Sequence, residues 1–179
     1  TSFDAGTLTY DQLTINLDFS REIDADFLAS GINVAVGAEY RREGYEIQAG
    51  EEASYARGNF GPGGAVTDPV NGPFGSAGSQ VFPGFTPESA GDNSRHNVSL
   101  YIDLEAFITD NWNVAVAARY EDYSDFGDTL NGKIATRYTL TEDLALRGSV
   151  STGFRAPSLQ QQYFTSVATV FVDGEPTQT

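Results

Sequence analysis

Apolar and polar residues alternate one by one through most of this chain. In LTINLDFS, Leu13, Ile15, Leu17 and Phe19 fall on one side and Thr14, Asn16, Asp18 and Ser20 on the other, which is the period of a strand with one greasy and one wet face. The pattern then recurs. Ile32, Val34, Val36, Ala38 and Tyr40 oppose Asn33, Ala35, Gly37, Glu39 and Arg41, and Val98, Leu100, Ile102, Leu104 and Ala106 oppose Asn97, Ser99, Tyr101, Asp103 and Glu105. Trp112, Val114, Val116, Ala118 and Tyr120 oppose Asn113, Ala115, Ala117, Arg119 and Glu121. Leu130, Ile134, Tyr138 and Leu140 face away from Lys133, Ala135, Arg137 and Thr139, and Leu144, Leu146, Val150 and Phe154 from Ala145, Arg147, Ser149, Ser151 and Arg155. The fold predicted is all-β, an antiparallel up-and-down meander of about six long strands.

The connections carry a second pattern. They cover residues 21–30, then 43–94, then Asp110-Asn111, then about six residues around SDFGD, then Thr141-Glu142-Asp143. Ten of the nineteen glycines and five of the seven prolines lie between Gly50 and Gly91, so the long connection is expected to lack regular structure of its own. Short turns at one end, long loops at the other and strands of ~9–11 residues describe a transmembrane β-barrel. Trp112 and Tyr120 share an apolar face eight residues apart, about 26 Å along a strand and roughly 20 Å along the membrane normal after tilting, the separation of two aromatic girdles. The expected organisation is a single β-barrel segment over residues 1–179, with an extracellular loop at 43–94.

Composition removes several functions. With no cysteine and one histidine, the chain offers no thiol nucleophile, no thiolate metal site and no multi-histidine centre. Twenty-five acidic residues against ten basic ones oppose nucleic-acid binding. No run of 18 apolar residues occurs, which excludes a membrane helix and leaves a barrel open. The absence of methionine marks a processed protein or a piece of one.

The run RYEDYSDFGDTLNGKIATRYTLTEDLALRGSVSTGFRAPSLQQ, Arg119 to Gln162, resembles the barrel wall of TonB-dependent outer-membrane receptors, in which an up strand ends in Gly-Phe-Arg-Ala-Pro-Ser. VAVGAEYRREGYEIQAGEEASY, Val34 to Tyr55, is similar to a receptor strand entering a long external loop. The resemblance implies a 22-stranded barrel in the outer membrane of a Gram-negative bacterium, closed by a plug and energised by TonB. It implies uptake of a scarce nutrient, a siderophore, vitamin or oligosaccharide, with outer-membrane lipid, plug, TonB and ligand as partners. Against that whole, with too few strands, no recognisable plug domain and no terminal aromatic strand, the chain is expected to be an internal segment of the larger barrel, which in isolation is expected to self-associate. The alternative is a soluble β-sandwich carbohydrate-binding module, its ligand held by the long loop and the Leu13, Val98, Val114 and Leu146 face buried within one chain.

Candidate ligand-binding residues are Tyr55, Arg57, Phe60, Phe74, Phe82 and Phe85 in the external loop, suited to stacking on a sugar or an aromatic chelator; the same aromatics can simply pack the loop. Asp103, Glu105, Arg119, Glu121, Lys133, Arg137, Arg147 and Arg155 form the candidate lumen and plug-facing set, whose simpler role is mutual cross-strand pairing. Asp122, Asp125 and Asp128 lack the spacing of a calcium loop, and GPGG at Gly61 is followed by no phosphate-binding helix or Lys-Ser. His96 has no serine-acid constellation around it, and Asn97-Val98-Ser99 is an incidental acceptor sequence on a strand. No catalytic residue, metal site or cofactor is expected.

Overall fold

The computed structural model describes residues 2–56, 83–166, 169–172 and 175–178, the last two stretches as backbone. Its long strands are β1 (Gly6–Ile23), β2 (Ile32–Ala49), β3 (Gly91–Thr109), β4 (Trp112–Tyr123), β5 (Gly127–Thr141) and β6 (Leu144–Ser151). They form one sheet in sequence order, β1-β2-β3-β4-β5-β6, an antiparallel meander. Two short helices, α1 (Glu52–Tyr55) and α2 (Leu159–Tyr163), and a hairpin of β7 (Thr169–Val172) and β8 (Glu175–Gln178) complete the described elements.

The strands outrun their apolar pattern. β1 and β2 have 18 residues each and β3 has 19, because a backbone ladder continues wherever N–H and C=O groups find partners, whereas alternation lasts only while one face meets an apolar phase. The connection expected at residues 43–94 therefore shortens to 50–90, and the β4–β5 link narrows from about six residues to 124–126. There Gly127 adopts φ 78, a conformation that favours glycine and closes a three-residue hairpin loop. The turns at 110–111 and 142–143 share a construction, each preceded by a register shift, between Phe107 and Thr109 and between Thr139 and Thr141. β6 stops at Ser151, short of the Phe154 and Arg155 that alternation assigned to it, so Arg155 belongs to the segment leading to α2.

Packing divides the chain into two units, one of Thr1–Asp11, Gly44–Ser94 and Ser158–Thr179, the other of Gln12–Glu43 and Arg95–Pro157. In the first, Tyr45, Ile47 and Leu159 form a buried cluster with Phe85 against it, and Phe85 meets Phe164 edge to face at 6.3 Å. Backbone bonds clamp the base of the long loop: Glu51 N–H donates to the Asp4 carbonyl at 2.9 Å, Gly50 N–H to Phe85 at 3.0 Å and Phe85 N–H to Ala5 at 2.9 Å. Ser158 caps α2 in a reciprocal box with Gln161, which orients Leu159 into the cluster.

The second unit is the wall. Cross-strand partners share a face, and the register Ser99↔Glu121, Tyr101↔Arg119, Asp103↔Ala117 and Ala117↔Lys133 collects the polar residues on one side. The other side is apolar and open. Leu13 is 52% exposed, Val98 45%, Leu146 61% and Val150 78%, values opposite to those a sandwich requires of this face. Trp112 and Tyr138 are direct partners there, and the indole N–H donates to Thr136 Oγ1 at 2.8 Å.

Candidate functional site on the polar face of the wall

The polar face holds its charges in two states. Toward the 124–126 loop they neutralise one another. Arg95 is buried, with Nη2 at 2.6 Å and Nε at 3.0 Å from Glu43 Oε2. Its Nη1 donates to the Pro157 carbonyl at 2.9 Å and lies 3.6 Å from Asp125 Oδ2. The guanidinium also sits 5.6 Å from the centre of the Tyr123 ring, itself edge-on to Phe126 and Phe154 at 6.5 and 6.1 Å. One arginine thus ties β2, β3, the β4–β5 loop and the chain leaving β6, using the rigid fork that suits several acceptors at once.

Arg119 is the second hub. Its Nε donates to Glu121 Oε1 at 3.0 Å, and its Nη2 reaches Ser99 Oγ at 2.8 Å and Glu39 Oε1 at 3.3 Å; Arg41 Nη2 also binds Glu39 Oε1 at 2.8 Å. Beside it the Tyr101 hydroxyl donates to Asp18 Oδ1 at 2.7 Å. The ring crosses Gly37, where any Cβ would collide with it, so the glycine is a slot for the tyrosine.

Toward the 110–111 and 142–143 turns the arrangement changes. Asp103, Glu105, Lys133, Arg137 and Arg147 are exposed, and among the described residues Lys133, Arg137 and Arg147 enter no ion pair. Glu105 accepts a hydrogen bond from Asn113 Nδ2 at 3.0 Å. A cleft of about 460 Å³ opens over the small residues Ala117 and Gly132, edged by Tyr101, Asp103, Arg119 and Lys133.

Of the predicted lumen set, the structure joins Arg119 with Glu121, keeps Asp103, Glu105, Lys133, Arg137 and Arg147 on the same face, and leaves Arg155 exposed beyond β6. Of the loop set, Tyr55 ends α1 half-buried and Phe85 packs on the Tyr45 cluster, while Arg57, Phe60, Phe74 and Phe82 lie outside the described residues, as does Gly61. The three aspartates do not converge: Asp125 serves Arg95, and Asp122 and Asp128 are direct partners on the opposite face from Glu121. Alternation missed Arg95, Glu43 and Tyr123. The available signal was a lone arginine on a strand whose neighbours Asn97 and Ser99 carry no charge.

The sequence model of the family described as TonB dependent receptor-like, beta-barrel, matches residues 1–178. The chain belongs to this family. A crystal structure with a similar fold is that of the siderophore receptor PirA from Acinetobacter baumannii, with a TM-score of 0.57 and 16% sequence identity, over 84% of this chain and 18% of that one. No curated protein matches the chain in sequence. The two faces of its sheet, one apolar and exposed and the other carrying the charges, fit the wall of such a barrel.

Proposed function

We propose that this chain is a wall segment of an outer-membrane receptor of a Gram-negative bacterium, which takes up a scarce nutrient with energy delivered by TonB. The observation that carries the reading is the two-faced wall, with an apolar side open along β1 and β3–β6 and charges gathered on the other. Burial of each such Leu, Ile or Val in hydrocarbon is worth about 1.5–3 kcal/mol, so lipid is the natural cover for that side. The partners are outer-membrane lipid, a plug within the barrel, TonB and a small-molecule ligand, a siderophore, vitamin or oligosaccharide. PirA is a siderophore receptor, which supports placing iron chelates first among these. The loop between β2 and β3 is the ligand-selecting region, with Tyr55 and Phe85 at its clamped base and Arg57, Phe60, Phe74 and Phe82 within it. The polar face turns Asp103, Glu105, Arg119, Glu121, Lys133, Arg137 and Arg147 toward the lumen.

Growth of the native organism on limiting iron, vitamin or oligosaccharide tests the reading. Deleting the gene for the full-length receptor should abolish use of one such nutrient, and removing TonB should have the same effect. Uptake that persists without TonB would sink the energised-transport reading.

A further inference from the structure

Arg137 and Arg147 are direct cross-strand partners on β5 and β6, and like charges so opposed destabilise a strand pair. Lys133 lies on the same face four residues along β5, about 13 Å away. The three cations, with Asn113 and Ser149, line a cleft of about 390 Å³ over Ala135, and among the described residues no carboxylate lines it. Such a cleft runs against a composition of 25 acidic to 10 basic residues. The acids on the same face are held off by an alanine column: Asp103 pairs with Ala117 and Ala117 with Lys133, while Glu105 pairs with Ala115 and Ala115 with Ala135. Acidic and basic columns are thus two strand spacings apart, about 9.6 Å.

The geometry points to an acidic polypeptide segment of the same receptor as the occupant of this cleft, its carboxylates seated on Lys133, Arg137 and Arg147. The inference rests on the reading of this chain as the wall around a plug, and it specifies which patch of wall holds the plug and the charge of the plug surface that meets it. A resident segment fits better than a dissolved anion, because the opposed arginines repel one another throughout the life of the fold and a passing solute offsets that repulsion only in passing. Two adjacent guanidinium forks also match carboxylate geometry, giving charge-assisted bonds.

Zero-length cross-linking of the full-length receptor in detergent tests this. A carbodiimide couples a lysine amine to a carboxylate in contact with it, and mass spectrometry of the cross-linked peptides identifies the partner. Lys133 should be joined to an Asp or Glu outside residues 1–179, with the yield falling about tenfold in R137E/R147E through like-charge repulsion. The milder R137Q/R147Q, which leaves the wall's wet face polar, should show an intermediate fall with unchanged heat-modifiable mobility. A heat-modifiable barrel in which Lys133 couples only to Asp103 or Glu105, or to nothing, overturns the inference alone. Unchanged Lys133 coupling in R137E/R147E, with the half-saturating concentration for uptake of an anionic solute raised, overturns it and assigns the cleft to that solute. A full-length chain that stays soluble without detergent and shows no heat-modifiable band overturns the barrel reading and this inference together.

Discussion

Arg119 and Arg137 face the same way from neighbouring strands, yet they live under different rules. Arg119 sits among Glu121, Glu39 and Ser99, and a few residues away Arg95 is enclosed by Glu43, Asp125 and the Pro157 carbonyl. Arg137 instead meets Arg147 across the ladder and has only Asn113 opposite it on β4. The first region is complete within the chain. The second holds cations that enter no ion pair among the described residues, and the difference separates charges that hold the wall together from charges left open to the segment proposed above.

The largest effect is expected where the enclosed region is broken. Arg95→Met removes the guanidinium from its buried pair with Glu43, and losing one member of a buried pair costs up to about 3–5 kcal/mol. Denaturant unfolding of the full-length receptor should show this loss, with new protease cleavage near Ser124 to Phe126; an unchanged midpoint would mean that Arg95 is not a hub. Next comes the boundary between faces. Val116→Arg puts a guanidinium on the apolar side at a cost of about 2–4 kcal/mol near the bilayer midplane, whereas Ala117→Arg, one residue along, lands beside the open cleft and should be tolerated. Outer-membrane yield and heat-modifiable mobility separate the two, and equal tolerance would dissolve the distinction between lipid and lumen. The smallest effect sharpens the comparison most directly. Arg119→Gln should cost about 1 kcal/mol by removing partly exposed paired bonds. By the same unfolding measurement, relief of the repulsion between Arg137 and Arg147 should offset the loss of a partly exposed bond to the proposed segment, so that Arg137→Gln moves stability by less than about 0.5 kcal/mol. A loss as large as that of Arg119→Gln would show that Arg137 is held by pairs that outweigh this repulsion.

Strand identity and facing were legible along the chain, since alternation at Leu13 to Ser20 or at Trp112 to Glu121 reports directly which side chains meet an apolar phase. Strand ends were not. β2 shows why: its apolar residues sit at even positions from Ile32 to Tyr40 and then switch to Tyr45 and Ile47, which are buried with Leu159. That switch marks a strand that has changed its surroundings while its backbone ladder carried on, and alternation alone takes it for the end of the strand. The opposite error occurred after Ser151, where Phe154 keeps the apolar register but packs with Tyr123 and Phe126 instead of pairing on β5. The Gly-Phe-Arg-Ala-Pro-Ser run thereby acquires a local account: an aromatic that packs, a proline carbonyl that accepts from Arg95, and a serine that caps α2.

By itself the sequence determined the all-β class, the meander, the division of residues between a greasy and a wet face, and the family resemblance. All of these rest on period-two spacing and short turns, which are local properties of the backbone and of adjacent residues. Only the tertiary structure decided which charges meet. Arg95 is 52 positions from Glu43 and 62 from Pro157, and no local rule links residues so far apart. Their encounter follows from strand register and from where the chain leaves β6, as does the alanine column that keeps Asp103 and Glu105 away from Lys133, Arg137 and Arg147.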